Sequence, residues 1–232
     1  MVALVGIDGS GKTTQAHRLA AALTAAGVPA SYRQNAGGRR FLSRLAARLP
    51  FARYARRADR PDAHRLLGRR GTLLAESVLR WLAICRGLLW SLAAGRIAVM
   101  DRYSYCQYVS LRAHGVAGGR MTLGERVARL AYGVFPRPAV TFLLDVDPRE
   151  AWRRVEARGT DHERIVDLAA GAAAYRALPE AAGFTVIDAN QAPDAVADAL
   201  LAALTARVSA GTRPPGEGAA AVTALGAFPA LW

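Results

Sequence analysis

Lysine is almost missing from this chain: of its 31 basic residues, Lys12 alone is a lysine. Cysteine is nearly as scarce, with Cys85 and Cys106 the only two, too few for a disulfide framework or a cysteine-built zinc site. Both read as small buried apolar residues. Aromatics make up 7% of the chain, and few fall within its basic stretches, which argues against the interleaved stacking platform of a nucleic-acid binder. No apolar run is long enough to span a bilayer. The best candidate, Thr72 to Ala94, is interrupted by Glu76, Arg80, Arg86 and Gly87 and reads as a core helix. The N-terminus has no charged region followed by an apolar segment and a cleavage site, so the expected compartment is the cytoplasm.

What is present begins with that single ammonium. It lies in GIDGSGKTT, Gly6 to Thr14, which satisfies G-x-x-x-x-G-K-[ST]. In this pattern a glycine-rich turn wraps backbone N–H groups around phosphates, and a slim point charge reaches along them to the β- and γ-phosphates. A wide, planar guanidinium does not fit that path, which gives a physical reason for one lysine to persist. The flanks agree: Val2 to Val5 is a short β-branched apolar run, and from Thr14 onward Ala16, Leu19, Ala20 and Leu23 recur at helical spacing. Strand, loop and helix therefore follow one another. Gly9 and Gly11 permit close backbone approach, Thr13 offers a hydroxyl to Mg²⁺, and the helix N-terminus adds partial positive charge.

The 232 residues, 52% of them hydrophobic, suffice for one substantial α/β domain. Strands are expected at Val28 to Tyr32, Ile97 to Met100, Ala139 to Val146 and Phe184 to Ile187. Helices are expected at Arg39 to Leu49, Ser104 to Ala113, Leu123 to Tyr132, Arg149 to Arg158 behind the helix-starting Pro148, a segment ending at Leu178, and Asp194 to Arg207. Pro50 to Arg70, with weak periodicity, reads as loops with short helices. Strands alternating with helices imply a parallel sheet covered on both faces. The domain is expected over residues 1–208, followed by a Gly/Pro/Ala-rich tail at 209–232. Of the net charge of +13, nearly all comes from Arg33 to Arg96, which holds 15 arginines against Asp59, Asp62 and Glu76. This stretch is either a surface for a polyanion or the product of compositional pressure.

Together GIDGSGKTTQ at Gly6 to Gln15, MDRY at Met100 to Tyr103, LDVDPREAWRRVEARG with DHER, and VIDAN at Val186 to Asn190 resemble the thymidylate kinase family, in the same order and over roughly residues 2 to 207. The resemblance implies the three-layer P-loop NTPase fold with a central parallel five-stranded sheet, ATP and Mg²⁺ as cofactors, a small phosphorylated acceptor as partner, and a homodimer. Gly9, Ser10, Gly11, Lys12, Thr13 and Thr14 would hold the donor phosphates, with Thr13 and Asp101 at the metal. Asp8 would approach the acceptor sugar and metal, and Arg102 would grip the acceptor phosphate beside Tyr103. Residues 33–96 become the acceptor side and 154–166 the lid. Since the phosphate loop carries no arginine at its variable positions, Arg158 or Arg164 would supply the catalytic charge, with Arg154 and Asn190 on the adenine side.

The acceptor side departs from the family pattern. The base-binding arginine maps to Arg80, but the aromatic expected four residues earlier is Glu76. The REPGG-like stretch reads RQNAGG, and Gln107 and Tyr108 stand as candidates to compensate. Three functions follow from this reading: a thymidylate-type kinase, a kinase of the same build with another acceptor, or a non-catalytic NTP-binding module with a basic surface for nucleic acid or membrane.

Overall fold

The computed structural model describes residues 1–35, 63–113, 123–159 and 162–211. The expected helix at Arg39 to Leu49 and the tail beyond Gly211 lie outside them. Five strands form one sheet: β1 (Val2–Val5), β2 (Ala30–Gln34), β3 (Ile97–Asp101), β4 (Val140–Asp145) and β5 (Thr185–Asp188). They are ordered β2-β3-β1-β4-β5 and every pairing is parallel. β1 is buried along its whole length, as an apolar run without polar alternation requires when both faces are covered.

Among the described residues seven α-helices connect and flank the strands: α1 (Lys12–Ala25), α2 (Ala63–Ala93), α3 (Ser104–Ala113), α4 (Leu123–Tyr132), α5 (Pro148–Arg158), α6 (Ile165–Arg176) and α7 (Pro193–Gly211). Parallel crossovers are right-handed. The one leftward step, β1 to β2, therefore puts α1 on one face, and the rightward steps put α2 to α6 on the other. α7 packs on α1 and completes the first layer. The chain reverses direction between β1 and β3, and the C-terminal ends of those two strands open the crevice in which ligands of such sheets bind.

Local chemistry sets several element ends. Asp147 caps α5 by accepting hydrogen bonds from the amides of Arg149 (2.8 Å) and Glu150 (3.4 Å), Pro148 occupies the first turn, and Gly159 closes the helix at φ 61°. Two expectations are corrected. Residues 63–70, expected as loop with short helices, are the first turns of the 31-residue α2, since no proline follows Pro61 to interrupt them. Gly87 does not break that helix. It is buried where α2 approaches the sheet, and a Cβ there would meet Arg33 and Met100 at 3.6 Å.

The burial of α2 is inverted relative to an ordinary amphipathic helix. Glu76, Arg80 and Ser91 face inward with Ile84, while Leu74, Val78, Leu82, Leu89 and Leu92 stand exposed along one stripe. Cys85, expected to be buried, lies half-exposed on that same stripe because the helix turns its polar side to the protein. Cys106 is buried as expected. No helix among the described residues is long and apolar enough to cross a membrane.

Candidate active site

The crevice is built from two loops, one after β1 and one after β3. In the first, Gly9 and Gly11 have φ of 86° and 88°, values that favour glycine. A Cβ at Gly9 would also stand 2.8 Å from the Ala151 Cα and closer to its carbonyl. The loop therefore admits no side chain there. α1 starts at Lys12 with no side-chain cap on its first amides, which leaves them directed at an anion. The Lys12 ammonium is buried, donates to Ile7 O at 2.5 Å and lies 3.6 Å from Asp8 Oδ1. Burial lowers its pKa and Arg102 lowers it further, against the opposing pull of Asp8 and Asp101.

The second loop delivers Asp101 and Arg102. Parallel register sets Leu4 and Gln34 beside Asp101, so three adjacent strands bring their side chains to one place. Arg102 has φ 73°, the one described non-glycine residue in the left-handed region, and its guanidinium bonds Asp8. Burial opposes the Arg102 charge, yet Asp8 leads a set of neighbours that hold its pKa above the usual value. The strained turn has a brace: Asn35 Nδ2 donates to Arg102 O at 2.7 Å, and Asn35 N donates to Asp101 O at 3.0 Å. Asp101 Oδ2 accepts from Thr13 Oγ1 at 2.6 Å and from Tyr32 OH at 3.2 Å, while the buried Oδ1 has no hydrogen-bond partner among the described residues. Burial, reinforced by Asp101, keeps the Tyr32 phenol protonated.

This donor set fits Mg²⁺. An orphaned carboxylate oxygen beside a threonine hydroxyl supplies the hard oxygens the ion requires, and Mg²⁺ ordinarily uses only one or two protein ligands together with substrate phosphates.

Glu76 and Arg80 on α2, both under 7% exposed, and Gln107 on α3 are buried polar side chains. Arg80 Nε and Nη1 and Gln107 Nε2 have no hydrogen-bond partners among the described residues, three buried donors whose bonds are left to be made. Tyr175 donates to Cys106 Sγ at 3.1 Å. Burial pushes the Tyr175 hydroxyl up, and Arg102 and Arg80 oppose the shift, which sets this ring among both arginines. Tyr103 and Tyr108 turn elsewhere. Tyr103 OH donates to Pro136 O at 2.6 Å, and the Tyr108 ring lies 4.5 Å under the Arg129 guanidinium, so of the two compensating candidates Gln107 keeps a buried donor without a partner among the described residues.

On the opposite side, Arg154 donates to Ala189 O at 2.9 Å and to Glu150 at 3.0 Å. Asn190 Nδ2 donates to Asp188 at 2.7 Å, so Arg154 reaches from α5 to the loop after β5 that carries Asn190. Arg158 and Arg164 are exposed at either end of the segment between α5 and α6; Arg164 Nε has Asp167 at 4.0 Å. Residues 160 and 161 of the expected lid lie outside the described residues. The sequence reading missed Tyr32, Asn35 and Tyr175. The only available signal was Asn35, standing within the altered RQNAGG stretch.

Comparison with known proteins points to one family. The sequence pattern of the thymidylate kinase family matches residues 70–200. A thymidylate kinase of Solidesulfovibrio magneticus is 35% identical, over 86% of this chain and 95% of its own. One of Xanthomonas euvesicatoria is 31% identical over 97% and 93%, and one of Halorhodospira halophila 29% identical over 92% and 97%.

Proposed function

The chain belongs to the thymidylate kinase family, and we propose on that premise that it transfers the γ-phosphoryl group of ATP to a nucleoside monophosphate, thymidylate by the family default. The observation that carries the reading is the meeting of Lys12, Asp8, Thr13, Asp101 and Arg102 in one crevice at the switch point of the sheet. Phosphoryl transfer requires positioning and charge stabilisation more than covalent chemistry. Lys12 and the amides of Gly9 to Thr14 hold the donor phosphates, and Arg154 with Asn190 flanks the adenine. Thr13 and Asp101 would hold Mg²⁺, which when bound neutralises charge on the β- and γ-phosphate oxygens. Arg102, tethered by Asp8, presents a fork to the acceptor phosphate. Arg80 and Gln107 offer their unpartnered donors to the base, and Arg158 and Arg164 complete the site when the lid closes. The reading places the enzyme in the cytoplasm.

A second acceptor is favoured by one observation: Glu76, at the position where the family pattern has an aromatic ring to support thymine, is buried, and a carboxylate does not provide the ~1 to 3 kcal/mol that stacking gives a base. The deciding experiment is ADP release with a panel of nucleoside monophosphates. Thymidylate turnover with kcat/KM of about 10⁴ M⁻¹s⁻¹ or more establishes the default. Weak thymidylate turnover that Glu76→Phe improves, alongside a better acceptor in the panel, establishes the second reading. No turnover of any monophosphate overturns both.

The exposed stripe of α2, from Leu74 to Leu92, supports the homodimer that the family resemblance implies, since it is an apolar face of the kind a second copy covers. Sedimentation at micromolar concentration should give twice the 24.7 kDa chain mass. A monomer that persists there excludes this interface.

A further inference from the structure

We propose that Tyr32 is a positioning residue that aims Asp101 at the metal, a role that rests on the reading of Thr13 and Asp101 as its holders. The two oxygens of Asp101 are treated differently. Oδ2 takes both the Thr13 hydroxyl at 2.6 Å and the Tyr32 phenol at 3.2 Å, whereas Oδ1 has no hydrogen-bond partner among the described residues. A carboxylate bonded twice through one oxygen loses its freedom to rotate and leaves the other oxygen fixed in direction. Thr13 alone does not fix it, because its hydroxyl turns about a single bond and its oxygen would also be shared with the metal.

Tyr32 approaches from another element. It sits on β2, two residues before the Gln34 that pairs with Asp101, and its ring is clamped from the helix layer by His17 of α1, stacked at 3.6 Å between centroids with 22° between planes. The phenol is thus held by strand and helix together, and its hydroxyl donates to Asp101 while also meeting the Thr13 hydroxyl. Partners of this kind, one step removed from a metal, orient the ligand and commonly change metal affinity 10- to 100-fold when removed.

Tyr32→Phe tests the role, because it keeps the ring and the His17 stack and deletes only the hydroxyl. Calorimetric titration with the β,γ-imido analogue of ATP, with chelator and across a Mg²⁺ series, separates the alternatives. The expected result is unchanged analogue affinity in chelator and about a tenfold rise in the Mg²⁺ concentration that gives half of the metal-dependent tightening. His17→Ala, which loosens the ring but leaves the hydroxyl, should shift the same midpoint less. An unaltered Mg²⁺ midpoint in Tyr32→Phe overturns the proposal, and so does an equal loss of affinity with and without metal, the mark of a merely structural hydroxyl. If the unsubstituted protein shows no Mg²⁺-dependent tightening, the metal site fails and this role with it.

Discussion

Replacing Lys12 by methionine should lower kcat for phosphoryl transfer by about 10³-fold or more and leave the fold intact. The ammonium is the chain's single lysine and the cation of the phosphate loop, so no neighbour replaces it on the path between the β- and γ-phosphates. Arg102 does not substitute, because its guanidinium is bound to Asp8 on the acceptor side. The fold survives because methionine keeps most of the buried aliphatic length while removing a charge whose pKa burial already lowers. Asp8 keeps Arg102 as its partner. Steady-state kinetics beside a thermal melt checks both halves, and undiminished turnover in a folded variant would end the phosphate-loop assignment.

Removing Arg158 and Arg164 together should reduce kcat by about 10³-fold, the scale of an arginine supplied to phosphoryl transfer, with the KM values of both substrates changed by less than about threefold. Both side chains are exposed, so their loss leaves packing untouched and any effect reports on the reaction. They flank the loop between α5 and α6, with Gly159 closing α5 on one side and Arg164 preceding Ile165, the first residue of α6, on the other. On the proposed reading, a closing movement of that loop would carry both toward the phosphates. An interaction made only in the transition state lowers kcat and kcat/KM equally. A rise in KM with kcat unchanged would show that these arginines hold substrate and do nothing more.

The sheet and the phosphate loop were legible in the sequence because their determinants are local. β1 is a run of four apolar residues, the loop needs glycine where φ is positive, and the helix after Asp147 and Pro148 is set by its own first turn. Each of these is a constraint among residues a few positions apart. So was the DRY signature, since Asp101 and Arg102 simply end a buried strand.

Tertiary structure alone decided which distant side chains complete the site. Asn35 meets Arg102 across 67 positions, Tyr32 meets Asp101 across 69, and Tyr175 meets Cys106 across 69. These meetings follow from strand order and parallel register, which no local periodicity specifies. The same holds for α2, whose sequence is apolar on more than one side. Only its packing against the sheet determined that Glu76 and Arg80 turn inward and that the leucine stripe, with Cys85, turns out. The sequence by itself therefore determined a phosphate loop, a strand-end Asp-Arg pair and the alternation that builds a parallel sheet. The inward charge pair and the brace on Asp101 waited on the fold, because burial and register arise from contacts between elements rather than within them.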